Sequence, residues 1–431
     1  MFTRIALLSL VVLCQVAWAQ SETSGFSIRG VTDVGYANTS GAKSWLRGGS
    51  GKLRFDEDDN DELQLLDIGI AIDYAFDLQS KFTVVGHRYD GDFALTEAFW
   101  EYRPLNDGAW RGRYRVGAFH PSFSLENTGP LWTSPYTVKS SAINTWFGEE
   151  MRIIGAEGKW TWIRDPHNKS KHRFSLFGAL YAYNDPMGAM ISWRGWSVHD
   201  RQIGLNGTFS IRDLPILQII DHSPDFEPFM EIDDRPGFYV GSEWTLERRF
   251  RLQLVHYDNL TDHTLRQAGQ YGWRTRFSQI AFHWRMGNGY EVLGQFLAGN
   301  TLMAKDGLDN DFEAAYVMLV KSWGRHRLAV RWDVFRVVNQ SLILYDDNFE
   351  EYGDEDYDYD DDDYEYNYEN YDYNDELGNS QTVSYSYLFG DSWKLSLEAT
   401  RIWSRQDSRM HFGQNPRLAE KQVLASVRYY F

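Results

Sequence analysis

One cysteine, Cys14, occurs among the 431 residues, so no disulfide can form within the chain and stability must come from packing and hydrogen bonding. Proline is sparse, with 11 residues, which leaves long stretches free to pair as uninterrupted strands. No run approaches the roughly 20 uncharged apolar residues of a transmembrane helix, and no stretch sustains a helical period. Catalytic signatures are missing as well. There is no Gly-x-Ser-x-Gly, His-Glu-x-x-His or phosphate-binding glycine motif, and His87, His120, His199, His256, His283 and Asp258 are scattered along the sequence. Neither an enzyme nor a resident cofactor is expected, and a net charge of −18 offers nothing to a nucleic-acid partner.

What the chain does have is alternation. Val423, Ala425, Val427, Tyr429 and Phe431 fall on one face of a terminal strand, with Ser426 and Arg428 on the other. An apolar outer row with a polar inner one suits a strand that seals a barrel in lipid. Similar segments recur at 26–36, 64–76, 81–89, 94–102, 110–119, 150–161, 172–183, 201–210, 237–247, 250–258, 274–285, 289–298, 312–323, 326–337, 379–389, 392–403 and 421–431, with a weaker one at 45–55. Bacterial single-chain barrels use even numbers, so the expectation is an all-β, transmembrane, antiparallel up-and-down barrel of 16 or 18 strands. Mean hydropathy is low at −0.50, as it should be when only alternate residues meet lipid. The 17 Trp and 26 Tyr are suited to the two membrane interfaces.

The ends of the chain fit the same picture. Arg4, the apolar run Ile5 to Leu13 and Ala17-Trp18-Ala19 form a signal peptide over residues 1–19. Leu13 occupies the place of the small residue that lipidation of Cys14 would need, so export without a lipid anchor is expected. Residues 20–431 then form a single barrel domain in the outer membrane of a Gram-negative cell. The strand ending at Phe431 resembles the terminal strand of Gram-negative outer-membrane barrels, and the resemblance implies as partners outer-membrane lipid and lipopolysaccharide, the barrel-assembly machinery through that strand, and further copies of the chain in a homotrimer.

Tight links such as 247–249 and 324–325 alternate with long ones at 120–149, 184–200, 211–236, 259–273 and 338–378, which places turns on one side and loops on the other. A charge facing lipid at midplane costs roughly 2–4 kcal/mol. Arg327, Arg331 and Asp333, opposite Leu328, Val330, Trp332 and Val334, should therefore face a polar, wet lumen. Arg111, Arg113 and Arg115 share one face of 110–116 at spacings of about 7 Å. They are either an anion path along the pore or a row neutralised by acids on neighbouring strands, such as Glu97 and Glu101.

The strand containing Gly117 runs on into Phe119, Pro121 and Ser124-Leu125-Glu126. In this it resembles the phosphate-selective porin O/P type of outer-membrane barrel. The resemblance implies that 120–149 folds inward as a constriction loop, carrying Pro121, Glu126, Trp132 and Trp146, and that Arg111, Arg113 and Arg115 line the pore, with Arg327 and Arg331 as further pore-lining candidates. A matching cluster of pore lysines is not found, so the resemblance implies a porin without implying phosphate selectivity. The same loop placed outside the barrel would act as a lid or an oligomer contact.

Between Asp346 and Glu376 lie 17 acidic residues and no Lys or Arg; without them the net charge of −18 falls to −1. Such a segment cannot pack and should be an extracellular loop. Its Asp358, Asp360, Asp361, Asp362, Asp363 and Glu365, threaded among tyrosines, offer oxygen ligands for weak Ca²⁺ binding. They lack the spacing of an EF-hand. The expected function is passive diffusion of small hydrophilic or charged solutes; the alternative is a surface-displayed protein whose acidic loop binds metal cations or a partner.

Overall fold

The computed structural model describes residues 24–89, 92–106, 108–164, 171–210, 212, 217, 222–305, 307–340 and 375–431. The expected signal peptide at 1–19 and the acidic candidates Asp358, Asp360, Asp361, Asp362, Asp363 and Glu365 lie outside them.

Sixteen antiparallel strands close into one barrel. They are β1 (Gly25–Ser40), β2 (Leu63–Ala75), β3 (Ser80–Tyr89), β4 (Asp92–Tyr102), β5 (Trp110–Phe119), β6 (Ile153–Ile163), β7 (His172–Ala182) and β8 (Gly237–Leu246). The second half comprises β9 (Phe250–Asp258), β10 (Trp273–Gly287), β11 (Tyr290–Met303), β12 (Leu308–Trp323), β13 (His326–Asn339), β14 (Glu376–Phe389), β15 (Trp393–Gln406) and β16 (Arg417–Tyr430). Each strand pairs with its sequence neighbour, and β1 pairs with β16. Closure removes every sheet edge, the condition for a β-structure in lipid.

Period two decides the faces. In β13, Leu328, Val330, Trp332 and Val334 are exposed on the outer surface, while Ala329, Arg331, Asp333 and Phe335 are buried inside. The closing strand repeats the pattern, with Val423 and Val427 outward and Leu424, Ser426 and Arg428 inward. Closure is completed by Phe431: its backbone N donates to the Gly30 carbonyl at 3.2 Å and its carbonyl accepts from the Gly30 N at 2.9 Å.

Segment 201–210 is not a barrel strand. Only Phe209–Ser210 pairs, with Asp225–Phe226, outside the barrel. Arg201, Gln202, Ile203 and Gly204 belong to no strand and are buried, because they run through the interior where both sides of the chain meet protein. Alternation of residue types does not by itself identify a barrel strand. The weak candidate 45–55 contains a 3₁₀ turn at Trp45–Arg47 instead of a strand. The connections 184–200 and 211–236 therefore merge into one, 183–236, which joins β7 to β8. The expected strand at 150–161 begins at Ile153 because a helix, α1 (Ala142–Glu150), extends to its threshold.

The lumen also departs from expectation. It is not a uniformly polar, wet channel. One apolar cluster joins wall residues Tyr239, Tyr257, Phe277 and Phe312 to Phe123, Trp146 and Trp196 of the inserted loops.

Candidate solute pathway

Two connections enter the barrel and fill it. The first, 120–152, leaves β5 at a glycine that its geometry requires: Gly117 has φ of 126°, and a Cβ there would lie 2.3 Å from the Ala98 carbonyl oxygen. The loop then crosses to the far wall and ends in α1, every residue of which is buried. Ser141 caps α1 by accepting from the Asn144 N at 3.3 Å.

Wall side chains hold this loop at both ends of its path. Near its start, Arg115 donates to the His120 carbonyl at 3.3 Å, Gln253 to the Ser122 carbonyl at 2.8 Å and Gln279 to the Phe123 carbonyl at 3.0 Å. On the opposite side, Arg331 donates to Glu126 at 2.7 Å and to the Lys139 and Ser140 carbonyls at 2.8 and 2.9 Å. Asp333 accepts from the Ala142 N at 3.1 Å, and Glu398 accepts from the Val138 and Lys139 N at 2.6 and 3.2 Å. Lys139 pairs with Glu398 at 3.1 Å. These bonds lie in the buried interior, where an unmade partner is costly.

The second insertion belongs to 183–236 and includes the short helix α2 (Ala189–Trp193). It rests on the carboxyl end of α1. Glu149 pairs with Arg194 at 2.7 Å and with His199 at 2.8 Å. Glu150 accepts from the Met190 N at 2.9 Å, from the Gly188 N at 3.3 Å and from the Trp146 indole. Two adjacent acids thus carry the junction, and they differ in charge preference. Burial works to raise Glu149, but Arg194 and then His199 outweigh it and hold the carboxyl at about 2. Burial, with little cationic help, pushes Glu150 up to about 7. A third contact anchors the insertion to β14: Glu376 accepts from the Trp196 N at 2.8 Å and pairs with the buried Lys52 at 2.6 Å.

The candidates named from sequence fall into three groups. Arg113 and Arg115 converge on Glu157 of β6, at 3.0 and 2.8 Å. Glu101 lies 3.9 Å from Arg113, and Glu97 instead accepts from the His120 N at 2.7 Å. Arg111 is apart from them, turned to the carbonyls of Gly108 and Trp110 at the turn side. Arg327 donates to the Pro135 carbonyl at 2.7 Å, and Arg331 is fully buried; both hold the loop, and Arg331 has no surface open to a passage. Pro121, Glu126 and Trp146 are buried in the loop, and Trp132 stacks on His120 with centroids 4.2 Å apart. Glu398, Lys139, Glu149 and Glu150 were not singled out from sequence. Glu398 carried a usable signal, an acid on the inward face of β15 that must find a partner.

Beneath loop 120–152, on the turn side, lies a cavity of about 310 Å³ lined by Tyr136, His283, Arg173, Arg248, Arg251 and Arg285, with Glu247 among them.

No protein-family model and no curated protein sequence matches the chain. Solved structures do. The outer-membrane channel DcaP of Acinetobacter baumannii superposes with a TM-score of 0.55 at 9% identity, covering 96% of this chain and 99% of that one. The fold is that of the outer-membrane barrels. An anion-selective porin from Comamonas acidovorans gives 0.50 at 9% identity, over 95% of this chain and 100% of that one. OmpT, an outer-membrane protein of Vibrio cholerae folded in vitro and in its trimer form, gives 0.50 at 8% identity over the same shares. At such identities the likeness concerns architecture.

Proposed function

We propose that this protein is an outer-membrane channel for small hydrophilic or charged solutes, with the insertions 120–152 and 183–204 acting as its constriction. The observation that carries this reading is the inward loop itself, stapled from Ser122 at one wall to Glu398 at the other. A barrel serving only as a membrane anchor has no need of a loop bound across its lumen. The turn-side cavity, rich in arginine, is the natural end of a solute path. The fold likeness to an outer-membrane channel and to an anion-selective porin supports the class of function. Neither the sequence resemblance nor the geometry points to phosphate as the solute. The trimer form of the Vibrio protein supports a trimer here as well.

Conductance in planar bilayers tests the proposal. Discrete steps are expected from the wild type, and larger steps after residues 186–198 are replaced by a short glycine-serine link. Silence from both folded proteins would sink the channel reading. The packed lumen also suits the other reading, a displayed barrel whose acidic segment binds Ca²⁺. Calorimetric heat on adding Ca²⁺, lost on deleting 346–374, together with that silence, would favour it.

A further inference from the structure

Cations on the outer wall near the loop side mostly have acids beside them. Arg274 pairs with Asp258 at 3.1 Å and Arg336 with Glu313 at 3.1 Å. The last two strands differ. On their outward face, Arg401 of β15 is the direct cross-strand partner of Lys421 of β16, and Arg405 is the partner of Arg417. All four are exposed. Arg405 bonds Asp407 at 2.9 Å; Arg401, Arg417 and Lys421 make no ion pair among the described residues. Their remaining lateral partners, Gln381 opposite Arg401 and Ser40 opposite Lys421, are uncharged. Like charges directly opposite one another in a sheet repel, and apart from Asp407 on Arg405 this group of cations has no acid to offset that repulsion.

The apolar band fixes the depth of the patch. On β15 the outward row runs Trp393, Leu395, Leu397, Ala399, Arg401, Trp403, Arg405. Trp393 and Trp403 mark the two aromatic girdles; ten residues at about 3.4 Å each, tilted 35–45°, span roughly 26 Å along the membrane normal, against an apolar band of about 25 Å. Arg401 and Lys421 therefore lie one pleat, roughly 5 Å along the membrane normal, inside the loop-side girdle, and Arg405 and Arg417 lie just beyond it. Long loops face the cell exterior in such barrels. That puts Arg405 and Arg417 at headgroup level in the outer leaflet, and Arg401 and Lys421 reach the same level through their long side chains.

We propose that Arg401, Arg405, Arg417 and Lys421 form a binding site for the phosphate groups of an outer-leaflet glycolipid. A phosphate seated between Arg401 and Lys421 accepts from both, with the guanidinium offering a bidentate face, while the acyl chains lie along Leu395, Leu397, Val423 and Val427. The occupant is a lipid and not free phosphate, because the patch continues directly into that apolar surface.

Native mass spectrometry of the folded protein in detergent, titrated with lipid A, tests this. Wild type should retain phosphorylated lipid A, and R401Q/K421Q should bind it about tenfold more weakly, the worth of two exposed ion pairs near the middle of their range. R401K, which keeps the charge but not the bidentate fork, should fall between wild type and the double variant. Heat-modifiable migration on gels checks that each variant is folded. Equal retention by wild type and R401Q/K421Q, or equal binding of dephosphorylated lipid A, would overturn the site. Binding of inorganic phosphate that displaces the lipid would overturn the lipid as its occupant.

Discussion

Arg331 holds four groups of the inserted loop from one wall position: Glu126, the Thr137 hydroxyl and the carbonyls of Lys139 and Ser140. Its own strand supplies Asp333 at 2.9 Å. Removing the cation leaves two carboxylates unpaired in a buried pocket, which costs about 3–5 kcal/mol, whereas neutralising the whole group costs far less. Arg331→Met should therefore lower unfolding stability in urea by about 3–5 kcal/mol, and Glu126→Gln/Arg331→Met/Asp333→Asn should recover most of it. An unchanged urea midpoint for Arg331→Met would mean that the loop is held elsewhere. The sequence makes Arg331 an inward residue, and it is one. Its partner could not be read, because Glu126 is 205 positions away and only the fold of the loop brings them together.

The elements were legible to the extent that they alternate. Strands such as β13 and β15 present an exposed apolar row outward and pack against protein on the other side, and that contrast is written in the residues. Arg201 to Gly204 meets protein on both sides, so its alternation misleads. α1 is missed for a related reason: a helix buried all round has no polar stripe and hence no amphipathic period. The junction it forms with 183–204 is sensitive to pH through Glu150. Its carboxyl sits at about 7 against an ordinary 4.5, so the folded state prefers the protonated form. The stabilisation is complete below the ordinary carboxylate range and is lost as pH rises through about 7. Glu149, held at about 2, stays charged across that window and does not offset the loss. Amide exchange at 188–198 should quicken between pH 5.5 and about 8.5 in the wild type by more than the intrinsic pH effect. Glu150→Gln, neutral throughout, should show only the intrinsic effect; identical profiles for the two proteins would remove Glu150 from the junction.

At the scale of the whole molecule, everything depends on one seam. Fifteen of the strand pairs join neighbours in sequence, but β1 and β16 lie at opposite ends of the chain. Their register runs from Val31 opposite Tyr430 to Ser40 opposite Lys421, with the Arg428–Asp33 pair at 2.7 Å buried inside it. The seam is finished by Phe431, whose ring fills the space over Gly30: a Cβ at residue 30 would come within 2.1 Å of it. A glycine facing an aromatic across a pair is a known way to complete a barrel wall. Gly30→Val must therefore eject the ring, exposing the end of the seam without touching any other pair. The expected result is a reduced fraction of heat-modifiable barrel on refolding into detergent, with Phe431→Ala reducing it to a similar degree and the double variant no further than either alone, since both remove one contact. Full additivity would show that Gly30 and Phe431 act separately, and that the seam closes on its backbone ladder and the Arg428–Asp33 pair alone.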